Sequence, residues 1–596
     1  MADVDVTSDM IGRDRAVRTS NSWVEIFSVA VFASAVSVLR TGFVFGLTNN
    51  LYHLPIVAGL YNEPQYADDR FIQSLRYFAS GVWLILSGVE RYFDNVPLLF
   101  LVLFFLSRLL SFVGFLCCAS LLGVTEQRDR IVFSLILCFV AFLDGYSYAG
   151  SGGLFINTFT HSEMANGVAL LAIYFAARGR FTAAAVAVGI TFFINAFFAV
   201  WLVLPLGLIG IRFLSQRRAT FGEISSRVLI GLVLCLPLAF AVLHGFLANP
   251  EFGRPFGFDY AEFLRQYFPG HVLIDSTSPG DLVGLLGVTV IGALAFFLLR
   301  QAAAELRAAY AGAILVYLIG IVVPFATGSP FILNLHFLRS STVIHLLAAL
   351  AIAALATKWL RRDTEATFLP ACLIVLFLSF DGWAGLAFVI AALMYVVRAT
   401  GSTPVPSYQR TMGHLVLATT VLLAYPLAIR SSLNFNRICN EAIEEWGAVG
   451  AWARSNTPLN AMFLTPRRPG LDGHSEVSTA DMALDRASVF EYVSHRRVWI
   501  DHKRGGTAMW MPSYYQTWRS KLTDVDSLNS LDERLAYASR NGIGYVIDIC
   551  ESPDVQSGAL YRTKRLCVFS AGASELPERK NASSVTERLS SRASRA

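Results

Sequence analysis

Asp68 and Asp69 stand side by side in the segment Tyr66-Ala67-Asp68-Asp69-Arg70-Phe71, inside a polar stretch (48–97) that separates two strongly apolar runs. Carboxylates beside apolar surface are costly to hold unless function retains them. One of the two could take a proton from an acceptor hydroxyl while the other orients the acceptor or holds a cation. Adjacent side chains diverge in extended backbone, so the pair divides into separate tasks; a solvated loop that happens to carry two acids fits the same pattern. Glu163, with His161 and Asn166, opens a later apolar run. Acids suit a helix N-terminus on electrostatic grounds, and as a partner to Asp69 this group could bind a phosphate-linked cation or a leaving group. Arg265, Tyr267, His271, His336 and Arg339 are basic or phenolic groups between apolar runs. They suit interfacial anchoring or a clamp on a lipid phosphate, since guanidinium binds phosphate oxygens in bidentate fashion. Arg339 leads this group because Phe337-Leu338-Arg339-Ser340-Ser341 runs directly into an apolar segment. Asn195, a further candidate contact, sits where an apolar segment breaks and suits the satisfaction of open backbone groups.

These residues need a scaffold, and composition says which kind. Of 596 residues, 55% are hydrophobic and 15% charged, and mean hydropathy is +0.52. So much apolar surface is soluble only in lipid. No basic face interleaved with aromatics occurs, which excludes a nucleic-acid binder. The eight cysteines show no paired metal spacing and no metal-ligating set is expected; a divalent cation is the cofactor the acids leave open. Cys117, Cys118, Cys138, Cys235 and Cys372 read as small core residues; Cys439, Cys550 and Cys567 lie in the tail, where there is room for one disulfide, and Cys550 to Cys567 is the pairing expected.

The chain predicts a cytoplasmic, disordered arm over 1–20 and a membrane module over 21–430, with outer loops at 48–97, 147–163, 248–281 and 327–340. Phe71 to Phe93 reads as one amphipathic helix lying on the membrane surface. Phe181 to Ile211 has arginines at both ends, yet its length of about 31 residues is tight for two crossings of roughly 17–25 residues each. It therefore reads as a broken hairpin meeting near Asn195. Counting every apolar run gives about 13 crossings of mostly α structure. An odd count with arginine-rich inner loops puts the N-terminus in the cytoplasm and the C-terminus outside. The spans look nearly free of charge, Asp144 being the chief exception. Residues 431–570 read as a small α/β extracytoplasmic domain with strands near 461–465, 497–501, 544–549 and 566–569, and 571–596 as a disordered tail. Within that domain Arg496-Arg497-Val498-Trp499-Ile500-Asp501-His502-Lys503 and Trp518-Arg519 suit either a structural cluster or contact with sugar rings or pyrophosphate.

The arrangement resembles the GT-C superfamily of multi-pass membrane glycosyltransferases, and most closely a bacterial branch of it. The resemblance rests on the first-loop carboxylates, acidic Glu163 in the second loop, the many spans and the α/β tail. Two short segments add to it: Tyr-x-x-Asp-x-Phe (Tyr66, Asp69, Phe71) and Arg-x-Val-x-x-Asp-x-Lys (Arg496, Val498, Asp501, Lys503). It implies a polyprenyl-phosphate-linked sugar donor and an envelope glycan, lipid or protein acceptor. It also implies residence in a bacterial inner membrane, inverting transfer on the outer face, and a first-loop base, for which Asp69 is the better match. No WWDYG-like motif occurs, which disfavours protein N-glycosylation. The alternatives from other classes are a transporter or flippase of a lipid-linked or polar substrate, a glycan polymerase or ligase that depends on Arg339 and histidine and not on Asp69, and a non-catalytic envelope scaffold.

Overall fold

The computed structural model describes residues 22–47, 49–362, 366–398, 404–466, 487–550 and 558–572. The arm expected over 1–20 and all but the first two residues of the expected tail lie outside this set. Seven of the described helices are long and apolar enough to cross a membrane, and an eighth span forms if Phe221–Leu234 and Leu236–Ala248, bent by 62°, count as one. The chain is therefore a mostly helical protein of seven or eight candidate spans, and the expectation of 13 is corrected. The surplus came from counting each apolar run as a crossing. Phe181–Ile194, Phe368–Phe377 and Trp383–Arg398 are apolar but short, and Gln127–Cys138 stops after 12 residues. At 1.5 Å per residue such helices reach about 15–24 Å, short of a hydrocarbon core of roughly 30 Å. With the count at seven or eight, the odd-number argument for sidedness no longer holds.

The helices that position the site are α1 (Ser22–Thr41), α2 (Asn50–Ala58), α3 (Val96–Leu121), α4 (His161–Ala177), α5 (Phe181–Ile194), α6 (Ser341–Arg361) and α7 (Tyr425–Asn456). The span that contains α6 is the central post, 89% buried where the other spans reach 44% at most. Its run of alanines (Ala348, Ala349, Ala351, Ala353, Ala354, Ala356) lets neighbours approach on every side. α3 and α4 approach just as closely: a Cβ on Gly167 would lie 2.4 Å from the backbone of Leu110. α5 ends at Asn195, whose extended backbone starts a second short helix, Ala196–Trp201, and whose side chain accepts from the Phe198 N–H. The break expected at Asn195 is present, but only its first arm is short: the second continues as Ala196–Ser215, 20 residues and one of the seven candidate spans, which corrects the expectation of two short helices.

Residues 71–93 do not form the single surface helix expected. They break into Arg70–Ser74, Leu75–Tyr77, Gly81–Leu86 and Val89–Arg91. The segment packs closely on α5 at Gly81, where a Cβ would collide with the Phe193 ring.

The last candidate span is a continuous 50-residue helix, Ser407–Asn456, that leaves the apolar bundle and enters the tail. It passes through a π turn at Thr420–Ala424. Beyond it lies a five-stranded sheet of order β2-β1-β3-β5-β4, with β1 Met462–Leu464, β2 Arg497–Val498, β3 Tyr545–Ile549, β4 Tyr561–Arg562 and β5 Leu566–Ser570. β1 is parallel to β2 and β3, while β5 runs antiparallel to β3 and β4. Cys550 and Cys567 are disulfide-bonded with Cα atoms 5.4 Å apart, as expected.

Candidate functional site

Where the bundle meets the tail domain, five separate segments bring basic side chains together. His53 comes from α2, His161 from the first turn of α4, His271 from the loop before Ile274–Ser276, and His336 and Arg339 from the segment leading into α6. The His53 and His161 rings lie 5.6 Å apart. His161 is within electrostatic reach of Arg339, as are His271 and His336. Lys503, from the tail domain, acts on both His53 and His271.

Local structure explains the convergence. His336 adopts φ 48°, a left-handed conformation uncommon outside glycine, and this turn opens the short helix Phe337–Ser340 that carries Arg339. The loop at Gly150 presses on that helix so tightly that a Cβ there would lie 2.3 Å from the Leu338 carbonyl. Arg339 Nη2 donates to the Ser151 carbonyl (3.3 Å). The tail is docked by amide hydrogen bonds: Asn334 Nδ2 donates to Met509 O (3.0 Å) and Asn249 Nδ2 to Trp510 O (2.7 Å).

The electrostatics of this wall are one-sided. Among the described residues no carboxylate pairs with Arg339, whose Nε is buried without a hydrogen-bond partner, as is His336 Nδ1. Burial and the Arg339 charge push the His271 imidazole down to about 3, with Lys503 adding to the effect. His53 is likewise held well below its ordinary value, first by burial and then by His161 and Lys503. His271 Nδ1 faces the Pro269 carbonyl at 3.3 Å; a carbonyl only accepts, so Nδ1 carries the proton and Nε2 presents a bare lone pair. Donors and neutral imidazoles gathered where no carboxylate among the described residues pairs with Arg339 suit an anion.

Below this wall, an apolar groove of about 930 Å³ runs between α3, α4 and α5, lined by Leu110, Met164, Val168, Leu171, Ile190 and Ile194 among others. Met164 follows His161 by three residues, so the groove opens one turn from the wall. Asn195 sits between the two, its Nδ2 donating to Ser162 Oγ (3.0 Å).

The aspartates are placed differently. Asp68 is exposed, whereas Asp69 is buried. One Asp69 oxygen accepts from the Ile72 N–H (3.1 Å) as a helix cap; the other lies 3.7 Å from Arg504 Nη1. Arg504 is itself buried, pairs with buried Glu491 at 2.7 Å and lies over the Phe71 ring at 4.5 Å. Nearby, the Tyr66 hydroxyl donates to Arg496 O (3.2 Å), and the Arg496 guanidinium donates to the carbonyls of Arg454 and Thr457 at the end of α7. Asp501 accepts from the Lys503 N–H (2.7 Å). The two short sequence segments singled out above thus dock on each other, and their residues tie the first loop to the tail. The two acids form no joint cation site, and among the described residues no three His, Cys, Asp or Glu side chains gather as one.

Of the other candidates, Glu163 is fully buried and paired with Arg108 of α3 at 2.6 Å, with the Arg108 guanidinium over the Phe155 ring at 4.3 Å. It faces the bundle interior and not the wall. Arg265 is half exposed and held by Glu262 (2.8 Å) and Asp275 (3.4 Å). The spans are also not nearly free of charge: besides Arg108–Glu163, Arg40 of α1 pairs with Asp144 at 3.1 Å. Arg108, alone among apolar residues in a 26-residue helix, was a signal that sequence reasoning passed over. His53 was missed as well, since Asn50-Leu51-Tyr52-His53-Leu54-Pro55 shows nothing that marks one residue as special. No model of a known protein family matches this chain, and no curated protein matches it either.

Proposed function

We propose that this protein is a membrane glycosyltransferase that moves a sugar from a polyprenyl-phosphate-linked donor to a cell-envelope glycan, lipid or protein, at the extracytoplasmic side of a bacterial inner membrane. One observation carries the reading: Arg339, which pairs with no carboxylate among the described residues, gathers with the neutral imidazoles of His161, His271 and His336 one helical turn from an apolar groove. A phosphate joined to a prenyl chain needs both surfaces at once.

In an inverting displacement the acceptor oxygen bonds to the anomeric carbon as the bond from that carbon to the phosphate oxygen breaks. The electron pair stays on the phosphate, where the Arg339 guanidinium and the Nε2–H of His161, whose Nδ1 accepts from Trp83, stabilise it. The acceptor proton needs a base. Asp69 is the choice by resemblance, but its carboxylate already caps a helix and faces Arg504. His271 Nε2 is bare, and the incoming phosphate charge raises the affinity of that imidazole for a proton. The geometry favours His271.

A second reading, a carrier that moves the lipid-linked head group across the bilayer, draws on the ion pairs Arg108–Glu163 and Arg40–Asp144 inside the bundle. The experiment is incubation of the protein in proteoliposomes with radiolabelled polyprenyl-phosphate sugars and envelope acceptors. Label moving from lipid to acceptor supports transfer; label changing leaflet with the phosphate bond intact supports the carrier and rejects transfer.

A further inference from the structure

The wall contains one donor whose orientation is set by the fold before any ligand arrives. Asn50 Oδ1 accepts from the Gly46 N–H (3.1 Å) and from the Thr158 hydroxyl (3.3 Å). That fixes the amide so that Nδ2 donates to the Phe159 carbonyl (3.3 Å) and to His53 Nδ1 (3.2 Å). His53 Nδ1 is therefore the acceptor, and the single proton of the neutral ring sits on Nε2. The ring is held face to face on Trp83, centroids 3.8 Å apart and planes 13° from parallel. Trp83 also donates from Nε1 to His161 Nδ1 (3.0 Å), which locks the neighbouring imidazole by the same logic. His53 is fully buried, and its Nε2 has no partner among the described residues.

A buried N–H without an acceptor is costly, by roughly 1–3 kcal/mol, and native folds seldom tolerate one that serves nothing. We propose that His53 is a phosphate-contacting residue, donating Nε2–H to a phosphoryl oxygen of a lipid-borne phosphate monoester or diester, with Asn50 as the residue that sets its tautomer. This rests on the reading of the wall given under the proposed function and adds to it a residue that holds the phosphate from the α2 side. Because the ring donates while neutral, it binds phosphate without first taking up a proton.

The test is equilibrium binding of radiolabelled polyprenyl monophosphate to the full chain in nanodiscs, with the matched polyprenol and inorganic phosphate as competitors. His53→Gln keeps an N–H donor near the position of Nε2; His53→Glu is its isostere with only acceptors; His53→Leu removes polarity altogether. All three lose the stack on Trp83 alike, so a packing role moves them together. We expect His53→Gln to stay close to wild type, and His53→Leu and His53→Glu to weaken binding by about tenfold or more, the scale of a hydrogen bond to a charged group. Equal affinities for all three, or equal losses, would overturn the assignment while Arg339→Gln still shows whether the wall binds phosphate. Polyprenol displacing the label as well as polyprenyl phosphate would overturn this inference and the proposed function together. Inorganic phosphate displacing the label at equal concentration would overturn the lipid-borne source.

Discussion

Lys503 and Arg504 are neighbours on one short helix, yet they serve clusters built on opposite rules. Arg504 belongs to a knot in which charge is matched: Glu491 at 2.7 Å, Asp69 at 3.7 Å and the Phe71 ring beneath. Lys503 faces the wall, where His53, His161, His271, His336 and Arg339 gather with no carboxylate among the described residues to pair with Arg339. A buried charge that has its partner is finished and holds the fold together. A buried donor that lacks one is stabilised only when something else arrives. The knot therefore reads as the joint between bundle and tail, and the wall as the place where a ligand is received.

The largest effect should come from breaking the knot. Arg504→Met leaves Glu491 buried and unpaired, and should destabilise the folded protein by about 3–5 kcal/mol, seen as a lower thermal transition in nanodiscs. An unchanged transition would mean that the matched charges do not carry the joint. Next comes the wall: Arg339→Gln should lower transfer by about a hundredfold or more with little change in melting, the scale of losing a charged stabiliser of a leaving group. His271→Gln should cost roughly a hundredfold in turnover, as for a general base, and should flatten the lower limb of the pH–rate profile. Asp69→Asn keeps a cap acceptor and removes the charge opposite Arg504, so the comparison predicts a stability loss of about 1–2 kcal/mol with turnover in the folded fraction nearly retained. Abolished transfer at unchanged melting would instead make Asp69 the base and reverse the ranking of the two clusters.

The smallest and most diagnostic effect is in pH. Burial and the Arg339 charge depress His271 to about 3, below the unfolded value of about 6.5. The unfolded chain then binds more protons between those values, so this group's contribution to stability is present above about pH 6.5 and declines as pH falls toward 3. Bound phosphate raises the pKa of the same ring, so phosphate affinity should change in the opposite direction and strengthen as pH falls. Titration of both quantities on one preparation checks the crossing; parallel trends would contradict an anion at the wall.

Much of the fold could be read along the chain because it follows from local rules. The membrane class came from composition, the break at Asn195 from the length of the run between arginines, and the tail strands from alternation; the Cys550–Cys567 disulfide was one choice among three tail cysteines. The span count could not be read that way, since a run such as Phe368–Phe377 is as apolar as a crossing helix and its helix stops after 10 residues. The site divides in the same manner. Arg339, His271 and His161 are polar groups at the ends of apolar runs, and their types alone suggested phosphate. Arg265 has the same signature but lies half exposed against Glu262 and Asp275, a matter of where a loop folds back. Asp69 was legible as unusual but not as paired, because its partner lies 435 positions on, in the tail. His53 carries no mark at all until Asn50, Trp83 and His161 surround it.

The unbroken helix Ser407–Asn456 has a consequence for how the tail domain can move. A domain carried on a rigid mast cannot swing aside like a lid on a string; its lever is rooted in the bilayer. The yielding point along that mast is the π turn at Thr420–Ala424, where an inserted residue loosens the helical ladder. A few degrees of tilt there would be magnified over the length of the rod and felt most at the seam between bundle and tail.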